Sequence, residues 1–150
     1  MSGSGFILFN RKLNGEIEFL ILDTYPKIDK VKNYDVPKGS LHEGEDPLNG
    51  AIRELYEESN LTQDDIIPFL DENNNIIKVK ADKSPELILY LARIKNKAFD
   101  KVKIKRNPET YKFEHSQIKY ENADKCEKVC LFYLEGIFKK SERIIKLYEY

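Results

Sequence analysis

Between Asp35 and Leu61 the chain reads DVPKGSLHEGEDPLNGAIRELYEESNL, a stretch dense in glutamate and interrupted by glycines and a single arginine. Carboxylates at this density do chemistry in two ways: they bind a hard cation, or they exchange protons. Spacing decides whether they can meet. On a helix that turns about 100° per residue, Glu54, Glu57 and Glu58 are i,i+3 and i,i+4 neighbours and share one face. Leu48, Ile52 and Leu55 fall on an adjacent face and supply an apolar side for a core. Like charges four residues apart work against a helix by roughly 0.2–0.5 kcal/mol each, so the cluster calls for a positive partner. A divalent cation such as Mg2+ takes oxygen ligands, and Gly39, having no side chain, lets a backbone carbonyl come close. The competing explanation is a solvated helix surface, because charge patterns alone are weak evidence.

The elements that must hold these residues are legible at the helix ends. Asp46 suits an N-cap, Pro47 the first helical position, and Asn60 a left-handed C-terminal cap, which predicts a helix over Pro47 to Ser59. Ahead of it, GFILFN and IEFLILDTY read as strands joined through Asn14-Gly15, a strong hairpin signal. YDVPKG is a short extended piece, since Pro37 biases Val36 away from helix. IIPFL, IIKVKA and ELILYLARI read as further strands. KVKIKR alternates, and its Lys101, Lys103, Lys105 and Arg106 are expected to form the wet face of an edge strand rather than a contact for a polyanion. From Ala123 the spacing of Cys126, Val129, Cys130 and Tyr133 is helical, and Ile144, Ile145 and Tyr148 suggest a last short helix. This order predicts a mixed α+β sandwich and not a parallel βαβ array.

Composition sets the outer bounds. The 150 residues are expected to form one domain, 1–150, with a core of its own. With 41% hydrophobic and 34% charged residues the chain has a globular profile, and a net charge of −1 argues against coating nucleic acid or an anionic membrane. The opening MSGSGFILFN has too short an apolar run for a signal peptide or membrane span, so an intracellular, cytoplasmic protein is expected. Cys126 and Cys130 lack the partners of a zinc site and are expected to be reduced, buried thiols. A Walker-type phosphate loop is absent.

Taken together, Gly39, Glu45, Arg53-Glu54-Leu55, Glu57-Glu58 and Asn60-Leu61 resemble the signature of the Nudix hydrolases, G-x5-E-x7-R-E-U-x-E-E-x-G-U with U aliphatic. Asn60 stands where the signature has its second glycine, and Asn best substitutes for Gly in a left-handed cap. The resemblance implies a Nudix-type mixed β-sandwich flanked by helices, with a loop-helix-loop that binds Mg2+ or Mn2+. It implies Glu54, Glu57, Glu58 and the carbonyl of Gly39 as metal ligands or near neighbours, with Arg53 and Glu45 supporting the site. It also implies hydrolysis of a nucleoside diphosphate linked to a second group. In such a reaction the metal neutralises phosphate oxygens and acidifies water, and a carboxylate takes the water's proton.

Within that family the chain is similar to the asymmetrical diadenosine tetraphosphate hydrolases, through GFILF, EFLIL, VPKG, GED, LILYLARI and EHSQIKY. That likeness implies Lys38 near the phosphates, Glu114 as a further metal ligand or base, and Tyr90 and Tyr120 as residues stacking on adenine. Both tyrosines have a packing role as the alternative. Ser40 follows Pro37-Lys38-Gly39 where the subfamily often has histidine; His42 lies two residues on, and His115 beside Glu114. The expected substrate is diadenosine tetraphosphate, cleaved to ATP and AMP. Alternatives are ADP-ribose or another ADP-linked compound, an RNA 5′ cap, or binding of a nucleotide without hydrolysis. RNA is a possible partner that nothing specific indicates, and a monomer or homodimer is expected.

Overall fold

The computed structural model describes residues 2–148. Strands β1 (Gly3–Arg11) and β2 (Ile17–Thr24) form an antiparallel hairpin whose turn passes through Gly15 at φ 88°, a conformation glycine adopts without steric cost. Two short pieces, β3 (Tyr34–Asp35) and β4 (Lys38–Ser40), flank Pro37 and lead into helix α1 (Pro47–Ser59). Then come β5 (Ile66–Pro68), β6 (Lys78–Lys80), β7 (Leu87–Ile94) and β8 (His115–Glu121), followed by α2 (Ala123–Val129) and α3 (Ile137–Tyr148).

The eight strands form one hydrogen-bonded network with the main path β3-β2-β1-β7-β5, while β4 pairs with β1, β6 with β7 and β8 with β2. The β1–β7 pair is parallel and the others are antiparallel, so the fold is the mixed α+β arrangement expected. Helices cover both sides. Phe6, Leu8, Leu20, Tyr90 and Ala92 pack towards Ala51 and Leu55 of α1. Their strand neighbours Ile7, Phe9, Phe19, Ile21, Leu89 and Leu91 pack towards Cys126 of α2 and Ile137, Phe138 and Ile145 of α3. Alternate residues point to opposite faces of a strand, so a sheet buried on both sides reads as the continuous apolar runs FILF and LILYLA.

The boundaries of α1 match the prediction. Asp46 accepts hydrogen bonds from Leu48 N at 3.1 Å and Asn49 N at 3.3 Å. Asn60 closes the other end at φ 69°, its N–H donating to Tyr56 O at 3.0 Å. Cys126 and Cys130 are buried and free. No helix among the described residues is long and apolar enough to cross a membrane.

One expectation is corrected. KVKIKR is not an edge strand: Asn60 Nδ2 donates to Lys101 O at 3.0 Å and Lys103 N to Ser59 O at 3.1 Å, so this segment is tied to the end of α1 rather than to a strand. Lys101 pairs with Asp65 at 2.7 Å, and Arg106 lies over the Phe113 ring. Of these four basic residues, Lys101 is the one that pairs with a carboxylate among the described residues.

Candidate active site

Strand β4 runs antiparallel to β1, with Gly39 opposite Ser4, and α1 packs across both. At Gly39 the strand backbone comes close to this helix's side chains: a methyl group there would overlap the Glu54 carboxyl group. Only glycine allows this approach. The result is a cleft of about 690 Å³, lined on one wall by Lys38, Gly39 and Ser40 and on another by Arg53, Glu54, Glu57 and Glu58. Thr24 at the end of β2, loop residues Tyr25 to Ile28, Asp35, His42, Lys105, Asn107 to Glu109, Glu114 and His115 complete it.

Arg53 organises the acidic wall. Its Nε and Nη2 grip Glu45 Oε2 and Oε1, each at 2.9 Å, while Nη2 also donates to Ser40 O at 3.0 Å. Nη1 reaches Glu54 Oε1 at 2.7 Å and Glu57 Oε2 at 3.4 Å. Glu45 Oε1 further accepts from His42 N at 3.0 Å. The Arg53 guanidinium, followed by that backbone bond, holds the Glu45 carboxyl down to about 2. Glu45 is thus permanently charged and locks the loop onto the helix, while Arg53 serves as scaffold for the remaining glutamates.

Arg53 pairs with Glu54 and Glu57, so one positive charge faces three carboxyl groups. Burial pushes the Glu54 carboxyl up to about 7; Arg53 opposes this, and the charges of Glu57 and Glu114 reinforce it. Burial pushes Glu58 up as well, against the pull of Lys38 N, which donates to Glu58 Oε1 at 3.0 Å, and with a push from Asp35 and Glu54. Each of Glu54, Glu57 and Glu58 engages one oxygen with the protein and leaves the other without a hydrogen bond among the described residues. Among the described residues no three acidic, His or Cys side chains gather around one metal position. The donor chemistry nevertheless fits a hard divalent cation: oxygen ligands only, with surplus negative charge held out of water.

Glu114 arrives from the other side, at the start of β8. A register shift in the β2–β8 ladder between Asp23 and Thr24 lets His115 pair with Thr24 at the cleft. Asn107 Nδ2 donates to Glu114 Oε1 at 2.5 Å and Tyr25 N to Glu114 O at 2.7 Å, so this residue ties two cleft loops together. His115 is buried, and burial lowers its pKa, favouring a neutral ring.

Lys38 Nζ lies 3.3 Å from Asp35 Oδ2 and above the Tyr133 ring, whose hydroxyl donates to the same oxygen at 2.5 Å. Sequence reasoning assigned no role to Asp35 or Tyr133. Ninety-eight residues separate them, and no local pattern connects them. Tyr90 and Tyr120 are not brought to the cleft. Tyr90 is 6% exposed and packs on Phe6, with ring centroids 5.9 Å apart. Tyr120 packs on Phe99 at 5.4 Å, and its buried hydroxyl finds no partner among the described residues. Both belong to the core between the sheet and α1, the face their strand positions impose.

Comparison with known proteins shows what this chain is similar to. The model of the NUDIX domain matches residues 2–134. The asymmetrical bis(5'-nucleosyl)-tetraphosphatase of Caenorhabditis elegans is 29% identical over 128 residues, spanning 85% of this chain and 88% of that protein. The enzyme of the same name from Rattus norvegicus is 33% identical over 98 residues, covering 61% of this chain and 64% of the relative. A crystal structure of a C. elegans Ap4A hydrolase binary complex superimposes with a TM-score of 0.71 at 24% identity, over 98% of this chain and all of that one. The chain belongs to the Nudix family. Its class is that of the pyrophosphohydrolases, which break phosphoric anhydride bonds with water.

Proposed function

We propose that this chain hydrolyses dinucleoside polyphosphates, diadenosine tetraphosphate above all, to ATP and AMP, using Mg2+ or Mn2+. The observation that carries this reading is the cleft that Glu54, Glu57 and Glu58, from one face of α1, line together with Lys38 and Glu114. The activity for which the C. elegans relative is named, a protein matching over most of both chains, supports the choice of substrate. Glu54, Glu57, Glu58, Glu114 and the carbonyl of Gly39 would hold the metal. When bound, a divalent cation draws charge from phosphate oxygens and makes a water a better nucleophile. Lys38 places positive charge beside the polyphosphate, oriented by Asp35 and Tyr133. Arg53, gripping Glu45, keeps the glutamates in register with β4. A cleft carboxylate accepts the proton of the attacking water. Tyr90 and Tyr120 act through packing, and the nucleobase is left to residues of the cleft rim.

The test is turnover of a panel of diadenosine tetraphosphate, ADP-ribose and capped RNA with Mg2+ or Mn2+ in heavy-oxygen water. ATP and AMP from the first, with the label in one product, are expected. No anhydride cleavage anywhere in the panel would refute the reading, and a preference for another member would reassign the substrate.

A further inference from the structure

The cations of the cleft differ in what they already hold. Arg53 is spread over Glu45, Glu54 and Glu57, and Lys38 leans on Asp35. Lys27 sits exposed on the loop after β2, where its charge bears on Asp23. Lys105 is half-buried and lines the cleft, yet it makes no ion pair or hydrogen bond among the described residues. Its ammonium rests over the ring of Tyr56, 3.3 Å from the centroid. An aromatic face attracts a cation without neutralising it, so the full charge remains available to an anion.

The placement of Lys105 is built rather than incidental. On one side its segment is anchored to α1 by Lys103 N on Ser59 O and by Asn60 Nδ2 on Lys101 O. On the other side Asn107 is fixed by its side-chain bond to Glu114 and by its N–H on Lys112 O at 2.8 Å. Tyr56 precedes Glu57 on α1, so the helix that carries the acidic face also holds this ammonium beside it.

We propose that Lys105 is a specificity-determining residue that binds the phosphates of the substrate lying beyond the bond that is cut, with Tyr56 as its positioning residue. This inference rests on the reading of the cleft as a polyphosphate hydrolase site. Lys38 is already balanced by Asp35, and a chain of three or more phosphates brings more negative charge than a diphosphate. The unspent cation on a second element selects for that longer chain.

The experiment compares wild type, Lys105→Gln, Lys105→Arg, Tyr56→Phe and Tyr56→Leu by steady-state kinetics on diadenosine tetraphosphate and ADP-ribose. A lost charge-assisted contact should raise KM for the tetraphosphate about tenfold more than KM for ADP-ribose, with a smaller effect on kcat. Lys105→Arg should restore most of the difference. Tyr56→Phe keeps the ring and should match wild type, while Tyr56→Leu should lose part of the discrimination. Equal KM changes on both substrates in Lys105→Gln, or none, would overturn the assignment. Binding of inorganic tripolyphosphate by calorimetry reads Lys105 without turnover. A wild type inactive on every anhydride sinks the hydrolase reading, whereas equal tripolyphosphate affinity in wild type and Lys105→Gln sinks the role of Lys105.

Discussion

Two carboxylate groupings sit about the C-terminal half of α1, one on the helix and one just beyond it, and they are built to opposite specifications. Beyond its C-terminal end, Asp65 is buried but saturated: it accepts from Thr62 N at 2.8 Å, from the Thr62 hydroxyl at 3.0 Å, and pairs with Lys101 at 2.7 Å. Burial works against its charge, yet these partners outweigh burial and its pKa falls below the ordinary value. At the cleft, Glu54 is buried and Glu58 half-buried, but their partners do not suffice and both pKa values rise. The same side-chain chemistry thus closes a turn in one place and leaves unspent charge in the other. A buried carboxylate whose needs are met is structure; one whose needs are unmet at the wall of a cleft is ready for a ligand.

Four experiments can break or sharpen that contrast. Chelation with EDTA should abolish anhydride cleavage and re-addition of Mg2+ should restore it, as read by product chromatography, while Asp65 and its partners are untouched. Next, Glu57→Gln and Glu58→Gln should each lower kcat about a hundredfold or more with the circular dichroism spectrum unchanged. Near-normal turnover in both would refute the metal-site assignment. The third concerns pH in metal-free protein. With a folded pKa of about 7 against an ordinary 4.5, Glu54 binds its proton more tightly when folded, so it adds stability as pH falls from about 8 towards 5 and loses it as pH rises through 7. Thermal melts of wild type should therefore improve on acidification by on the order of 1–3 kcal/mol relative to Glu54→Gln. An identical slope in the two proteins would show that Glu54 is not strained. Asp65 has the opposite sign: its contribution is present above its unfolded pKa and is lost as pH falls through the lower folded value. The smallest effect is that of Asp65→Asn, about 1–2 kcal/mol of stability by urea titration with kcat within about twofold of wild type. A large loss of turnover there would erase the distinction.

How much of this was legible in the sequence depended on whether the cause was local. Helix α1 carries its start in Asp46-Pro47 and its stop in Asn60, each within hydrogen-bonding reach of its own turn, so its limits could be read directly. The shared face of Glu54, Glu57 and Glu58 follows from helical geometry alone. Sheet parity was not legible. Tyr90 and Tyr120 lie in strands whose two faces are both buried, and nothing in LILYLA tells which residues meet α1 and which meet α3. The KVKIKR segment misled for a related reason. Its alternation is that of a strand, but the backbone groups that would have joined a ladder are taken by Ser59 and Asn60. The Asp35–Tyr133 bond, joining distant parts of the chain, left no trace in either neighbourhood.

That diversion of the 101–107 segment onto the end of α1 also separates two jobs that often share one strand. A ladder would dictate the segment's length and the face of every side chain, because a slip of one residue inverts the pattern. Hung from a helix end at Lys103 and fixed to Glu114 at Asn107, the stretch between them can exchange side chains at the mouth of the cleft while both anchors hold. The protein has a changeable doorway hinged on an unchanging frame.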